Sequence, residues 1–196
     1  MISADETVFF WINGLAGRVA SIDDIIRTLS CDLFVPVVMI LAMVGLWFVG
    51  HDREQRERNQ RAVFCALAGM GFANLVVYIL NAALPDRLRP FEAFPSQVNL
   101  VFYPPTDPSF PSNATAAAFA MAIGVWLYNR KMGYILLVPA VAIAFGRVYM
   151  GVHYPLDIVG GFLAAIVGVA IARLVLRIAE PLPTNVITLM RKIYLA

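Results

Sequence analysis

Three short segments of the chain carry the residue types that could do chemistry. One of them, GRVYMGVHYPLD, places Arg147, His153 and Asp157 within eleven residues. A carboxylate four residues after a histidine, at the start of a helix with Pro155 in its first turn, would share one helical face with the imidazole. Such an acid can hold one ring nitrogen and leave the other free to attack or to take a proton.

The other two segments could bind a phosphate group. Arg87 and Arg89 open a proline-rich connection, and Ser112 begins an apolar stretch where that connection ends. Arginines form bidentate bonds to phosphate, and a helix N-terminus offers free backbone N–H groups. Together with Arg147 they predict a phosphate receptor and phosphoryl transfer to His153. Taken singly, each segment has a milder interpretation, as arginines that meet lipid phosphates or as a hydrogen-bonded interfacial histidine.

The elements that must position these segments are membrane helices. Of the 196 residues, 60% are hydrophobic and 14% are charged, which is far from the composition of a soluble domain. A helix needs roughly 20 apolar residues to cross a bilayer. We therefore predict an all-α integral membrane protein with about five transmembrane helices in a bundle, and one domain over 1–196, since no repeat or linker divides it. The five stretches, of which the third is short and alanine-rich, are 32–50, 62–83, 112–128, 133–150 and 156–178.

Residues 1–30 differ from these stretches, because charged side chains interrupt the apolar ones. They predict one or two amphipathic helices at the membrane interface. A cleaved signal peptide is not expected, because acidic residues come first and a basic n-region is lacking.

Loop charges predict the orientation. If the loop at 51–61 is cytoplasmic, ten of the fifteen basic residues lie on that side, as the positive-inside rule requires. Two predicted helices separate the connections that carry the chemical residues, so all three segments fall on the outer face.

Metal, nucleotide and nucleic-acid sites are not predicted. His51 lies on the opposite side from His153, and no cluster has the spacing of metal ligands. Neither glycine-rich nucleotide motif is present, and HDREQRERNQR is interpreted as a solvated loop. Cys31 and Cys65 have no recognisable pairing and are expected to pack as small hydrophobes.

The three segments resemble the motifs of the type 2 phosphatidic acid phosphatase superfamily, membrane lipid phosphatases that share a fold with vanadium haloperoxidases. That family has a lysine followed by R-P, then P-S-G-H, then S-R-x5-H-x3-D. The resemblance begins at Asn81 and is most specific in the third motif, from Gly146 to Asp157. It implies that His153 forms a phosphohistidine, that Asp157 orients it, and that no metal or other cofactor is required.

The resemblance also implies the phosphate contacts, which would come from Arg89, Arg147, Ser112 and the backbone around Asn113. The first motif departs from the family. Its lysine is expected seven positions before Arg89, where this chain has Ala82. Asn81 is a polar substitute beside that position, and Arg87 could partly replace the lost charge. In the third motif, glycine replaces serine at Gly146.

The second motif shows the largest departure. It reads P-S-N-A, so Asn113 replaces glycine, and Ala114 stands where the family has the histidine that protonates the leaving oxygen. Three accounts are open: a natural member that no longer catalyses, an enzyme that works without the acid, or a chain in which histidine was changed to alanine. The intact flanks SFPSN and TAAAF favour the last. The second also has chemical support, because a diphosphate leaves as a weakly basic phosphate monoester and needs little acid.

The stretches D-P-S-F-P-S-N and R-x-R-P-F, in a short chain, resemble those of bacterial undecaprenyl-diphosphate phosphatases. These enzymes recycle the lipid carrier of cell-wall synthesis at the outer face of the plasma membrane. The implied reaction is hydrolysis of undecaprenyl diphosphate to the monophosphate. The alternatives are a phosphatidic acid or phosphatidylglycerophosphate phosphatase, and a non-catalytic phospholipid-binding or transport member. The expected partners are a phosphorylated lipid and membrane lipids, without nucleic acid.

Overall fold

The computed structural model describes residues 3–193, and every regular element in that part of the chain is a helix. The predicted all-α class is confirmed. In chain order the helices are α1 (Ala4–Asn13), α2 (Ala20–Ser30), α3 (Phe34–Phe48), α4 (Arg53–Ala83), α5 (Pro90–Ala93), α6 (Asn113–Trp126), α7 (Arg130–Tyr149), α8 (Pro155–Ile178) and α9 (Leu182–Lys192).

Each of the five predicted membrane stretches overlaps one helix, in chain order α3, α4, α6, α7 and α8. Among residues 3–193, α4, α7 and α8 are by themselves long and apolar enough to cross a membrane. Helices α2 and α3 meet the same criterion only as a pair, bent by 51° between Ser30 and Phe34. Helix α6 is apolar but has 14 residues, so the stretch predicted to be short is also the shortest of these helices.

The prediction of a loop at 51–61 is wrong, because α4 already begins at Arg53. The side chain of Asp52 accepts a hydrogen bond from the backbone N–H of Gln55 at 2.7 Å and so caps the helix. Two of the four arginines in this stretch, Arg58 and Arg61, form ion pairs along the helix with acids four residues earlier. Glu54 bonds Arg58 at 3.1 Å, four residues further on, in the spacing that stabilises a helix.

The N-terminal region forms two helices, in agreement with the predicted one or two. Helix α1 starts with a reciprocal capping box between Ser3 and Glu6. It also packs on the bundle, since Phe9 is fully buried and its ring centroid lies 5.4 Å from that of Tyr154. Asn13 donates to the backbone oxygen of Tyr149 at 2.8 Å. Helix α1 therefore covers the end of the bundle at which α7 ends and α8 begins.

The short helix α6 is the centre of the bundle and packs against α4, α7 and α8. Its alanines at 116, 118, 120 and 122 are fully buried. Close approach of the backbones requires such small residues. A Cβ added at Gly168 of α8 would lie 2.4 Å from the backbone nitrogen of Ala73, and one at Gly124 would lie 2.5 Å from Cα of Ala66. The alanine-rich composition therefore reflects a position inside the protein.

Gly168→Ala is expected to destabilise the fold by about 1–3 kcal/mol, the usual cost of overpacking, because α4 and α8 would have to separate. Gly71→Ala is the matched control, since a Cβ there meets nothing within 4 Å and alanine favours a helix by about 1 kcal/mol over glycine. Thermal unfolding of the purified protein in detergent compares them. A Gly168→Ala variant at least as stable as Gly71→Ala would contradict this packing.

Candidate active site

The three chemical segments meet at one cavity of about 380 Å³. It opens at the end of the bundle where α7 ends and both α6 and α8 begin. The long connection between α4 and α6 contributes to its wall, and so does the bend between α2 and α3. Of the residues singled out from the sequence, the cavity is lined by Arg89, Asn113, Ala114, Arg147 and His153.

His153 lies in the loop before α8 and is 4% exposed. Its Nδ1 lies 2.9 Å from the backbone oxygen of Ser109, and its Nε2 lies 3.3 Å from Nη1 of Arg89. A carbonyl can only accept and a guanidinium can only donate. The proton therefore sits on Nδ1, and Nε2 carries a lone pair at the cavity. A histidine in this tautomer can act as a nucleophile.

The predicted relation between His153 and Asp157 needs a correction. Because α8 begins only at Pro155, the two residues do not share a helical face. The turn into α8 brings them together, with Nδ1 and Oδ2 3.5 Å apart. The closer partner of Nδ1 is the carbonyl of Ser109, whose contribution the spacing did not predict.

Asp157 is fully buried and joins the segments. Its Oδ2 accepts from Ser109 Oγ at 2.6 Å and from the backbone N–H of Tyr154 at 2.8 Å. Its Oδ1 accepts from Arg87 at 2.7 Å, and its backbone oxygen accepts from the N–H of Ser112 at 3.0 Å. Asp157 thus positions the Ser109 carbonyl that holds the imidazole.

The surroundings of His153 keep it neutral. Burial lowers its pKa below the ordinary value of 6.5, and the positive charges of Arg89 and Arg147 act in the same direction. The hydrogen bond to Asp157 acts in the opposite direction but is outweighed. The neutral imidazole, which has the free electron pair, is therefore the dominant form at neutral pH.

Two buried arginines line the cavity and could bind an anion. Arg89 is 2% exposed and is fixed by the backbone oxygens of Asp107 and Val152, each at 2.9 Å, and by Oδ1 of Asp107 at 3.0 Å. Arg147 is 3% exposed and forms an ion pair with Asp32. Its Nε has no hydrogen-bond partner within residues 3–193. An anion that enters the cavity can satisfy this buried N–H group.

The first turn of α6 also faces the cavity, through Asn113 and Ala114. The N-cap residue Ser112 makes no side-chain capping bond, so its hydroxyl does not occupy the first N–H groups of the helix. Unoccupied N–H groups at a helix N-terminus bind anions.

Three residues predicted to contact phosphate have side chains that do not line this cavity. Arg87 lies behind Asp157, in ion pairs with it at 2.7 Å and with Asp5 of α1 at 2.5 Å. The hydroxyl of Ser112 accepts from Thr115 at 3.0 Å. Asn81 is in the last turn of α4, and its Oδ1 is buried without a partner among residues 3–193.

Two residues that shape the site were not predicted from the sequence. Asp32 lies between α2 and α3, lines the cavity and bonds both Arg147 and Tyr103. An isolated acid directly before an apolar stretch was the available signal. Ser30 gave no signal: it is fully buried, and a Cβ added at Gly146 would lie 1.6 Å from its Oγ. Ser30 thus fills the space that a serine side chain at 146 would need.

Comparisons with known proteins show the family to which the chain belongs. The chain belongs to the PAP2 superfamily, whose family model matches residues 62–181. Undecaprenyl-diphosphatase BcrC of Bacillus subtilis (strain 168) is 28% identical over 160 residues, which make up 82% of this chain and 78% of the relative. The putative undecaprenyl-diphosphatase YbjG of Escherichia coli (strain K12) is 43% identical over 70 residues, 35% of each chain.

Solved structures show the same fold. The crystal structure of Aquifex aeolicus LpxE superposes with a TM-score of 0.65 at 25% identity, over 85% of this chain and 92% of that one. A transmembrane PAP2 type phosphatidylglycerolphosphate phosphatase from Bacillus subtilis superposes with a TM-score of 0.60 at 21% identity, over 91% of this chain and 89% of that one. The family, the transmembrane helical fold and the class of membrane lipid phosphatase that the motifs indicated are confirmed.

Asp32→Asn is expected to strengthen the binding of inorganic phosphate or vanadate by up to about fivefold, because it releases Arg147 from a partly exposed ion pair. Asp24→Asn is the control, since Asp24 pairs with Arg27 on the surface of α2. Titration calorimetry with vanadate measures both affinities. Equal affinity in the two variants would show that Asp32 does not compete for the anion.

Proposed function

We propose that this protein hydrolyses undecaprenyl diphosphate to undecaprenyl phosphate, with His153 as the nucleophile. The observation that carries the proposal is the position of His153, whose Nδ1 lies 2.9 Å from the Ser109 carbonyl and whose Nε2 lies 3.3 Å from Nη1 of the buried Arg89 at the cavity. The names of the relatives point to the same substrate.

The first step is attack on the terminal phosphorus. Its oxygens are bound by Arg89, Arg147 and the N–H groups at the start of α6. The Nε2–P bond forms while the P–O bond to the lipid monophosphate breaks, and the bonding electrons leave with that oxygen. The arginines neutralise the charge that spreads over the phosphoryl oxygens.

The second step is hydrolysis of the phosphohistidine. Water attacks phosphorus, the P–Nε2 bond breaks, and its electrons return to the imidazole as inorganic phosphate leaves. Asp157 and the Ser109 carbonyl keep the proton on Nδ1 throughout. The ring therefore ends the cycle in the neutral form in which it began.

The alanine at position 114 supports a diphosphate as the substrate. This residue lines the cavity where the family has its acid histidine. A departing phosphate monoester is a weak base, whereas the alkoxide that leaves a lipid monophosphate is a strong one and depends on an acid. The same absence favours a second candidate function, that of a lipid-binding member without catalysis, and the experiments below separate the two.

We also propose that the cavity opens at the outer, periplasmic face of the bacterial plasma membrane. The whole chain is proposed to form a single domain. The division of basic residues supports the orientation. Arg173 and Arg177 lie near the end of α8 that is remote from His153. In a purified, reconstituted system this orientation does not affect the chemistry.

His153→Ala is expected to abolish phosphate release from undecaprenyl diphosphate, because the nucleophile has no substitute. His51→Ala is the matched control, since His51 precedes α4 at the other end of the bundle and its loss should leave the rate unchanged. The rate of phosphate release is measured for both variants and for the unchanged chain. Residual turnover in His153→Ala would rule out the phosphohistidine.

Ala114→His is expected to raise the hydrolysis of phosphatidic acid by about 10² to 10⁴-fold, the usual contribution of a positioned general acid. The gain with undecaprenyl diphosphate should be smaller, because its leaving group needs less protonation. Phosphate release on both substrates measures the two gains. Background rates on both, in a well-folded variant and in the unchanged chain, would favour the lipid-binding function instead.

A further inference from the structure

At the end of the bundle remote from His153, two cavities share two arginines. One, of about 280 Å³, lies against α4, α8 and the turn before α9, and Arg61 and Tyr128 line it. The other, of about 410 Å³, is an apolar groove between α6 and α8. Arg173 and Arg177 line both. We call the two cavities together the α6–α8 groove.

The cations of this groove differ in how they are neutralised. Arg61 is paired with Glu57 at 3.3 Å and with Glu180. Arg173 and Arg177 have neither a hydrogen-bond nor an ion-pair partner for their side chains within residues 3–193. Glu180 also lines the smaller cavity, but its carboxylate is paired with Arg61. Two adjacent turns of α8 thus present two guanidinium groups without an ion pair, and such groups prefer a phosphate as their partner.

The apolar part of the groove has the length of one membrane leaflet. It extends from the arginines to Ile166, which lies eleven residues before Arg177 on α8. At 1.5 Å per residue this is about 16 Å, close to half of a hydrocarbon core of about 30 Å. The walls along this length include Ile123, Leu127, Val169 and Ala170.

We propose that the α6–α8 groove binds one anionic phospholipid of the leaflet opposite the active site. Its phosphate lies against Arg173 and Arg177, and an acyl chain follows the groove toward Ile166. Charge selects the class of lipid, because a zwitterionic headgroup would bring its own cation to two unpaired arginines. The site is separate from the catalytic cavity, since Arg173 follows Asp157 by sixteen residues of α8, or about 24 Å. The proposal therefore does not depend on the reaction at His153.

Native mass spectrometry of the full chain in detergent, titrated with phosphatidylglycerol or phosphatidylcholine, tests the site. The unchanged chain should bind one phosphatidylglycerol in preference to phosphatidylcholine. Arg173→Gln with Arg177→Gln should weaken this binding at least about tenfold, since each charge-assisted bond contributes about that much. Arg53→Gln with Arg58→Gln removes the same charge from the same end and should change the affinity less than twofold.

Two further variants test whether the lipid occupies the groove itself. Ala170→Trp fills the apolar part without changing the charge, at an exposed position, and should also abolish the preferred binding. Arg147→Ala alters only the catalytic cavity and should retain it. Glycerol phosphate, which has no chain to occupy the groove, should not displace the lipid. Equal binding of the two lipids, an equal loss in both arginine pairs, or a loss in Arg147→Ala would each overturn the proposal.

Discussion

The buried carboxylate of Asp157 is the group on which the rest of the site depends. A carboxylate without water is stable only when its oxygens are fully hydrogen-bonded, and here the side chain has three donors, from Arg87, Ser109 and the Tyr154 backbone. These donors come from the long connection and from the turn into α8. Satisfying one buried charge therefore fixes the carbonyl of Ser109, and that carbonyl fixes the tautomer of His153.

The same requirement explains why the N-terminal helix belongs to the functional unit. Arg87 makes its second ion pair with Asp5 of α1, and Asp5 also accepts from the backbone N–H of Leu156 at 2.9 Å. Helix α1 thus supports both the arginine that pairs with Asp157 and the first turn of α8. A segment that composition describes only as amphipathic completes the charge balance behind the nucleophile.

The sequence predicted what depends on short-range patterns. The lengths of the apolar stretches predicted the helices of the bundle. The three motifs predicted that Arg89, Arg147 and His153 would meet, and all three line one cavity. Contacts between distant segments could not be predicted in this way. The pairing of Asp32 with Arg147 joins residues 115 positions apart. The side chain of Arg87 lies outside the cavity because it pairs with Asp5, 82 positions away. The helix at 53–61 was missed for another reason, since a high density of charge describes a solvated loop and a salt-bridged helix equally well.

The contact between Ser30 and Gly146 has an evolutionary consequence. A serine at 146 would place its Cβ 1.6 Å from the hydroxyl of Ser30, so the two side chains exclude each other as they are now placed. The two positions therefore form an epistatic pair, in which the effect of a substitution at one depends on the residue at the other. A serine at 146 in this chain therefore requires a smaller side chain at position 30 or a displacement of α2, and neither change can be evaluated without the other.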